Sequence, residues 1–83
     1  MITGAQLKAA RALLAIDQKE LARLSGVSLP TIQRMEASAG VVRAVVESLD
    51  KVATALNTAG VELIAAGARS EGAGRGVRLL ERG

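Results

Sequence analysis

Gln33 and Arg34 are adjacent polar residues whose side chains are suited to recognition by hydrogen bonding. Arginine carries a planar fork of donors, and glutamine carries both donor and acceptor groups. Catalytic chemistry has no comparable support, because the chain contains no histidine and no cysteine and so lacks the usual imidazole base and thiolate nucleophile. The glycines within residues 67–76 also lack the Lys-Ser/Thr signature of a phosphate-binding loop. We therefore expect neither an enzyme nor a metal or cofactor site.

The overall composition favours duplex over single-stranded nucleic acid as a partner. Eleven Lys and Arg residues against eight Asp and Glu residues give a net charge of +3, which is compatible with a polyanionic partner. The chain has no Phe, Trp or Tyr, so it lacks the aromatic platforms on which single-stranded nucleic acid modules stack bases. These counts favour double-stranded DNA.

The length allows one small domain. With 83 residues, of which 49% are hydrophobic, the chain has no room for a second core. It contains neither 18 consecutive apolar residues nor the start of a signal peptide, which predicts a cytoplasmic protein with no membrane partner. A core of this size without disulfides is marginal, so dimerisation is the remaining way to bury more surface.

Capping residues mark the first two helices. Thr3 and Gln6 form a capping-box pattern, and apolar residues at helical spacing then predict helix 1 from about residue 4 to residue 14 or 15. Asp17 and Glu20 repeat the same reciprocal capping pattern before a second helix of about two turns. Gly26 supplies the left-handed residue that ends this second helix.

Pro30, the only proline of the chain, marks the start of a third helix. Ser28 is the predicted N-cap, so Pro30 falls in the first turn, where the backbone amides have no intrahelical partner to lose. Helix 3 should continue to about Ala37. Two short helices joined by a turn that contains a glycine form a helix-turn-helix.

The rest of the chain predicts one more helix and two strands. Helix 4 should carry an apolar stripe and stop at Gly60. Residues 61–65 and 77–80 alternate apolar and mixed residues, which predicts a two-stranded antiparallel β ribbon with a glycine-rich connection. We therefore expect a mainly α fold, with a helix-turn-helix DNA-binding domain over residues 1–60 and a short C-terminal ribbon over residues 61–83.

The second and third helices together resemble the helix-turn-helix of the Cro/phage-repressor (XRE) family of transcriptional regulators. Ala22 follows Gln18 by four residues, Gly26 follows Ala22 by four, and Ile32 follows Gly26 by six, as in that family. The matching segments are Gln18-Lys19-Glu20-Leu21-Ala22, Ser25-Gly26-Val27-Ser28 and Thr31-Ile32-Gln33-Arg34-Met35-Glu36. The resemblance covers about residues 4–60 and implies a compact, repressor-like domain of four to five helices.

The resemblance also implies roles for residues outside the third helix. The family pairs an arginine of helix 1 with a glutamate late in helix 3, which corresponds here to a structural ion pair of Arg11 with Glu36. Arginine suits this role because its fork can bind a carboxylate with two hydrogen bonds. Arg43 stands where family members contact the DNA backbone.

In a helix-turn-helix, the N-terminal residues of the second helix of the motif face base edges in the major groove, and the first helix crosses the backbone. Leu29 and Pro30 can offer only apolar contact, for example to a thymine methyl group, and Arg34 can bind guanine O6 and N7 or, alternatively, a phosphate. The expected base contacts are Leu29, Pro30, Gln33 and Arg34. The expected phosphate contacts are Gln18, Lys19, Ser28, Thr31 and Arg43.

A single motif of this size reads only a few base pairs, so we expect a homodimer on an inverted repeat, with recognition helices about 34 Å apart. Helix 4 and the ribbon carry the apolar surfaces to which no other role has been given. The residues expected to dimerise are Val45, Leu49, Val52, Leu56, Val61, Leu63, Val77 and Leu79. An exposed strand edge is also a template for pairing with a second copy.

Two other functions remain open at this point. The first is an antitoxin-like protein-interaction module, which binds a protein partner through its ribbon and autoregulates through DNA. The second is a helix-turn-helix scaffold that dimerises without reading DNA, because Leu29 and Pro30 are unusual residues at base-reading positions.

Overall fold

The computed structural model describes residues 2–64 and 74–80. This part of the chain forms, in order, α1 (Gly4–Leu14), α2 (Gln18–Ser25), α3 (Leu29–Glu36), α4 (Val46–Ala59), β1 (Val61–Ile64) and β2 (Gly76–Leu79). The mainly α fold with a C-terminal two-stranded antiparallel sheet is thus confirmed. Most of the glycine-rich connection between the strands lies outside the described residues. None of the described helices is long and apolar enough to cross a membrane.

Side chains cap α1 and α2. Thr3 Oγ1 accepts a hydrogen bond from the Gln6 amide at 3.2 Å, and Gln6 Oε1 accepts one from the Thr3 amide at 2.8 Å, which completes the predicted capping box. Asp17 caps α2 through the Glu20 amide at 2.7 Å. The prediction that the Glu20 side chain reaches back to the Asp17 amide was wrong. Arg23 instead donates two hydrogen bonds to the Glu20 carboxylate.

The turn between α2 and α3 has the predicted geometry. Gly26 follows α2 with φ of 72°, in the left-handed region that glycine adopts at little cost. Ser28 Oγ then accepts a hydrogen bond from the Thr31 amide at 3.4 Å, and Pro30 lies in the first turn of α3. The proline therefore helps to start the helix, as its fixed φ allows.

Among the described residues, the core consists of aliphatic side chains and one methionine. Each helix and β1 contribute to it, and the loop before α4 adds Val42. β1 packs against α4 and α1, whereas β2 packs against α1. The buried hydrophobic residues are Leu7, Ala10, Leu21, Val27, Ile32, Met35, Val42, Val52, Leu56 and Val61.

Gln6 attaches the two strands to α1. The strands pair antiparallel, with Val61 opposite Leu79 and Ile64 opposite Gly76. Gln6 is 5% exposed, and its side-chain nitrogen donates to Ile64 O at 2.8 Å and to Gly76 O at 3.0 Å. The residue that completes the capping box of α1 therefore also holds both strands where they lead into their connection.

The N-terminus of α1 meets the C-terminus of α3 at very short range. A Cβ atom on Gly4 would lie 2.8 Å from Glu36 O and 2.9 Å from both Met35 O and Ser38 O. The Gly4 amide donates to Gly40 O at 3.3 Å. Only a residue without a side chain fits here, because backbone oxygens cannot move aside as the end of a flexible side chain can.

We predict that Gly4→Ala destabilises the protein by about 1–3 kcal/mol, the usual cost of overpacking, although alanine is the better helix former. Equilibrium unfolding in urea measures the change. Gly40→Ala is the matched control, because a Cβ there meets nothing within 4 Å, and it should change the unfolding free energy little. If the two variants are equally stable, the close contact between Gly4 and the end of α3 is contradicted.

Candidate nucleic-acid interface

α3 has one buried face and one exposed face. Ile32, Met35 and Glu36 are buried, whereas Gln33 and Arg34 are exposed. The spacing of the buried residues follows the helical repeat, so the remaining positions must face solvent. The two side chains best suited to recognition therefore project from the outer face of the helix.

A row of hydrogen bonds runs along the exposed side of α3. Ser28 Oγ donates to Thr31 Oγ1 at 2.9 Å, and Arg34 Nη2 donates to the same oxygen at 3.2 Å. Because the Thr31 oxygen accepts twice, the hydroxyl proton is free to donate outward. Three of the predicted contact residues thus form one connected polar strip.

Two apolar residues follow Ser28 in the first turn of α3. Pro30 is exposed, and Leu29 is half-buried. Neither side chain can form a hydrogen bond. This corner of α3 can make only van der Waals contact with a ligand.

Two arginines that are unpaired among the described residues lie on α3 and in the loop that follows it. Within residues 2–64 and 74–80, Lys19, Arg34 and Arg43 form no ion pair with a carboxylate. Three other basic residues form surface ion pairs, namely Arg23 with Glu20 at 2.6 Å, Lys51 with Glu47 at 3.3 Å, and Arg78 with Glu62. Lys8 and Arg75 form none with a described carboxylate. An anion therefore meets cations near α3 that no carboxylate neutralises.

Arg34 and Arg43 line the same cleft between α3 and the start of α4. The cleft has a volume of about 180 Å³, and the side chains of Thr31 and Ser48 also line it. Two guanidinium groups and two hydroxyl groups supply only donors to a phosphate oxygen. The fold thus brings together residues that are nine positions apart in the sequence.

Arg11 and Glu36 form a bidentate ion pair inside the domain. Arg11 Nε lies 2.7 Å from Glu36 Oε2, and Arg11 Nη2 lies 2.7 Å from Glu36 Oε1. The Glu36 side chain is 1% exposed. The hydrogen bond to Glu36 raises the pKa of the Arg11 guanidinium above its ordinary value, against the opposing effect of burial. Arg11 also donates to Ile16 O at 3.2 Å, so it contacts the segment before α2 as well.

Gln18 has a structural contact that the sequence did not reveal. Its side-chain nitrogen donates to Glu36 Oε1 at 3.2 Å. An amide nitrogen carries two hydrogens, so one remains for a phosphate. No local pattern signals this bond, because it joins the start of α2 to the end of α3.

A family model described as helix-turn-helix matches residues 7–63, a span that runs from within α1 to within β1. The chain belongs to the helix-turn-helix family. The match supports the Cro/phage-repressor (XRE) type that the residue spacing indicated. This helix-turn-helix protein is therefore a DNA-binding transcriptional regulator, and members of its family are not typically enzymes. No curated protein matches the chain.

The residues expected to dimerise fall into three groups in this helix-turn-helix protein. Val52, Leu56 and Val61 belong to the hydrophobic core, so they have no free surface for a partner. Leu49, Leu63 and Val77 are partly buried and pack against that core. Val45 and Leu79 are exposed at 69% and 53%. Of the predicted set, these last two offer the most apolar surface to another chain.

The structure shows one further surface, which no sequence pattern predicts. A groove of about 670 Å³ lies between the end of α2 and the outer face of α4. Leu24 and Val46, both exposed, flank small side chains along α4. The small residues of this helix face were the only available signal, and they are common in ordinary solvent-exposed helices.

We predict that Arg11→Met destabilises the regulator by roughly 3 kcal/mol, because it leaves the buried Glu36 carboxylate without its main partner. The double variant Arg11→Met/Glu36→Met should cost less than Arg11→Met alone, since it removes both charges. Urea unfolding of the single and double variants measures these differences. Arg23→Met, which removes a solvent-exposed ion pair, is the control and should leave stability unchanged. An Arg11→Met variant as stable as the native protein would refute the structural role of the pair.

Proposed function

We propose that the protein regulates transcription as a homodimer on an inverted-repeat operator in double-stranded DNA, with α3 in the major groove of each half-site. The outer face of α3 carries this proposal. Gln33 and Arg34 are exposed there, and Arg34 has no carboxylate partner within the described residues. The second helix of a helix-turn-helix enters the major groove, which is where such side chains can reach base edges.

Base readout in this proposal divides between polar and apolar side chains. Arg34 binds guanine O6 and N7, and Gln33 binds adenine N6 and N7. Leu29 and Pro30 contact thymine methyl groups, since they can form no hydrogen bond with a base. Each half-site should therefore contain a strongly selected guanine and weaker preferences beside it.

The phosphate contacts come from the residues around α3. Ser28 and Thr31 supply hydroxyl groups at its start, and Arg43 supplies a cation at the cleft that α3 forms with α4. Lys19 and the second N–H of Gln18 act from the start of α2. Such contacts position the protein on the duplex and make its affinity depend on salt.

Two copies are needed because α3 contains only 8 residues and so reaches few base pairs. A two-fold dimer doubles the contacts and places its recognition helices about 34 Å apart, one turn of DNA. The operator then has the symmetry of the protein. The expected operator is an inverted repeat.

We predict that in vitro selection from a random duplex pool enriches an inverted repeat, and that Arg34→Ala loses the preference at one base pair per half-site. The lost discrimination should be about 1–3 kcal/mol. Arg43→Ala should weaken binding to all sequences alike and lower the salt dependence by about one released ion. Binding titrations at several stated salt concentrations measure both effects.

Arg23→Ala is the matched control, because Glu20 already holds that guanidinium group, and it should select the native operator. If Arg34→Ala selects the same DNA motif as the native protein but binds every sequence more weakly, Arg34 contacts a phosphate and not a base. Binding by the native protein without any enriched repeat would refute sequence-specific regulation. The antitoxin-like function would then become the leading hypothesis.

A further inference from the structure

Each strand of this two-stranded sheet has an outer edge without a strand partner among the described residues, and the more exposed edge belongs to β2. The Leu80 amide donates to Gly60 O at 2.7 Å, which extends the register of the two strands. Hydrogen-bonded pairs alternate in an antiparallel ladder, so Arg78 pairs with Glu62 through the backbone. The backbone groups of Val77 and Leu79 therefore point away from β1, and no hydrogen bond reaches them from the part of the chain that the structure describes.

The other strand is not equally available. β1 packs against both α4 and α1, and Val61 at its start is 1% exposed. β2 packs against α1. A strand added to this sheet would therefore lie alongside β2.

We propose that β2 pairs antiparallel with β2 of a second copy of this chain, across a two-fold axis at Arg78, to form a continuous four-stranded sheet. The inference rests on the homodimer of the proposed function and assigns the surface that forms it. Self-pairing satisfies both free edges at once, because each copy presents the same donors and acceptors. A two-stranded sheet is marginal by itself, and four strands bury more of it.

The apolar side chains favour this register. Val77 and Leu79 are two residues apart on one face of β2. Val77 packs against the core, whereas Leu79 is 53% exposed. With the axis at Arg78, Leu79 lies opposite Val77 of the second copy. By symmetry, Val77 lies opposite Leu79 of the second copy. The pairing thus covers one of the most exposed large apolar side chains with an apolar neighbour.

The charged side chains are compatible with the same register. Arg78 would lie opposite Arg78 of the second copy, a contact that is unfavourable between like charges. Each arginine forms an ion pair with Glu62 of its own chain. The row of four side chains across the sheet therefore has no net charge.

The first test removes the outward N–H of Leu79 and leaves the hydrogen bonds between β1 and β2 in place. Leu79→Pro deletes a donor that points away from β1, and proline is tolerated on edge strands. We expect the dimer dissociation constant, measured by sedimentation equilibrium, to rise roughly tenfold or more, because two symmetric hydrogen bonds are lost. Leu79→Val, which keeps the N–H and an apolar side chain, should dimerise as the native protein does.

Three results would overturn the proposal. They are a monomeric native protein both free and on DNA, a Leu79→Pro variant that dimerises as tightly as the native protein, and a dimer that Leu24→Lys disrupts while Leu79→Pro does not. The last result would assign the interface to the groove between α2 and α4. Thermal unfolding followed by circular dichroism verifies that each variant is folded.

The second test uses the absence of cysteine from the chain. In the proposed register the two Arg78 Cα atoms are about 4.5 Å apart, within the range that a disulfide spans. Arg78→Cys should therefore form a disulfide-linked dimer under mild oxidation with glutathione, as seen on a non-reducing gel. Leu13→Cys, an exposed position on α1, is the control. If Arg78→Cys forms disulfide-linked dimers no faster than Leu13→Cys, the two strands do not pair at residue 78.

The two proposals fail in different ways. A β2-linked dimer that enriches no DNA repeat would contradict the proposed function and support the inference. A dimer that binds an inverted repeat and is unaffected by Leu79→Pro would contradict the inference alone.

Discussion

The buried carboxylate of Glu36 is the group on which the arrangement of α1, α2 and α3 depends. It lies in the last turn of α3 and accepts hydrogen bonds from Arg11 on α1 and Gln18 at the start of α2. A buried charge costs several kcal/mol unless its hydrogen bonds are satisfied. Few arrangements of three helices can satisfy it, so the network sets their relative positions. It also anchors the inner face of α3 and leaves the outer face free.

Packing at both ends of α3 reinforces this arrangement. An isolated helix of 8 residues is unstable in water, so its helical state depends on tertiary contacts. Ser28 caps its start, Ile32 and Met35 enter the core, and its last carbonyl groups lie against Gly4. Without aromatic residues, a small core relies on close aliphatic packing and on such backbone contacts.

The arginines near α3 and the two strands lie on different elements of the fold. Arg34 and Arg43 have no carboxylate partner within the described chain, whereas Arg23 on α2, Lys51 on α4 and Arg78 on β2 form ion pairs. Gln6 joins both strands to the N-terminus of α1. The segment before α1 is bound in turn to the loop after α3, through the Val42 amide and Ile2 O at 2.7 Å. A continuous series of short contacts therefore links the sheet to the end of the recognition helix.

Local sequence patterns were sufficient to predict the starts of α1, α2 and α3, the left-handed turn at Gly26, the place of Pro30 and the two strands, because these depend on residues within about four positions of one another. Its resemblance to a known family indicated the partners Arg11 and Glu36 across 25 residues. Only the tertiary structure decided that Gln6 reaches residues 58 and 70 positions away, and that the apolar stripe of helix 4 is mostly core. Apolar side chains look alike in a sequence whether they meet the same chain or another one. Burial is decided by how the elements pack, and that is a property of the whole fold.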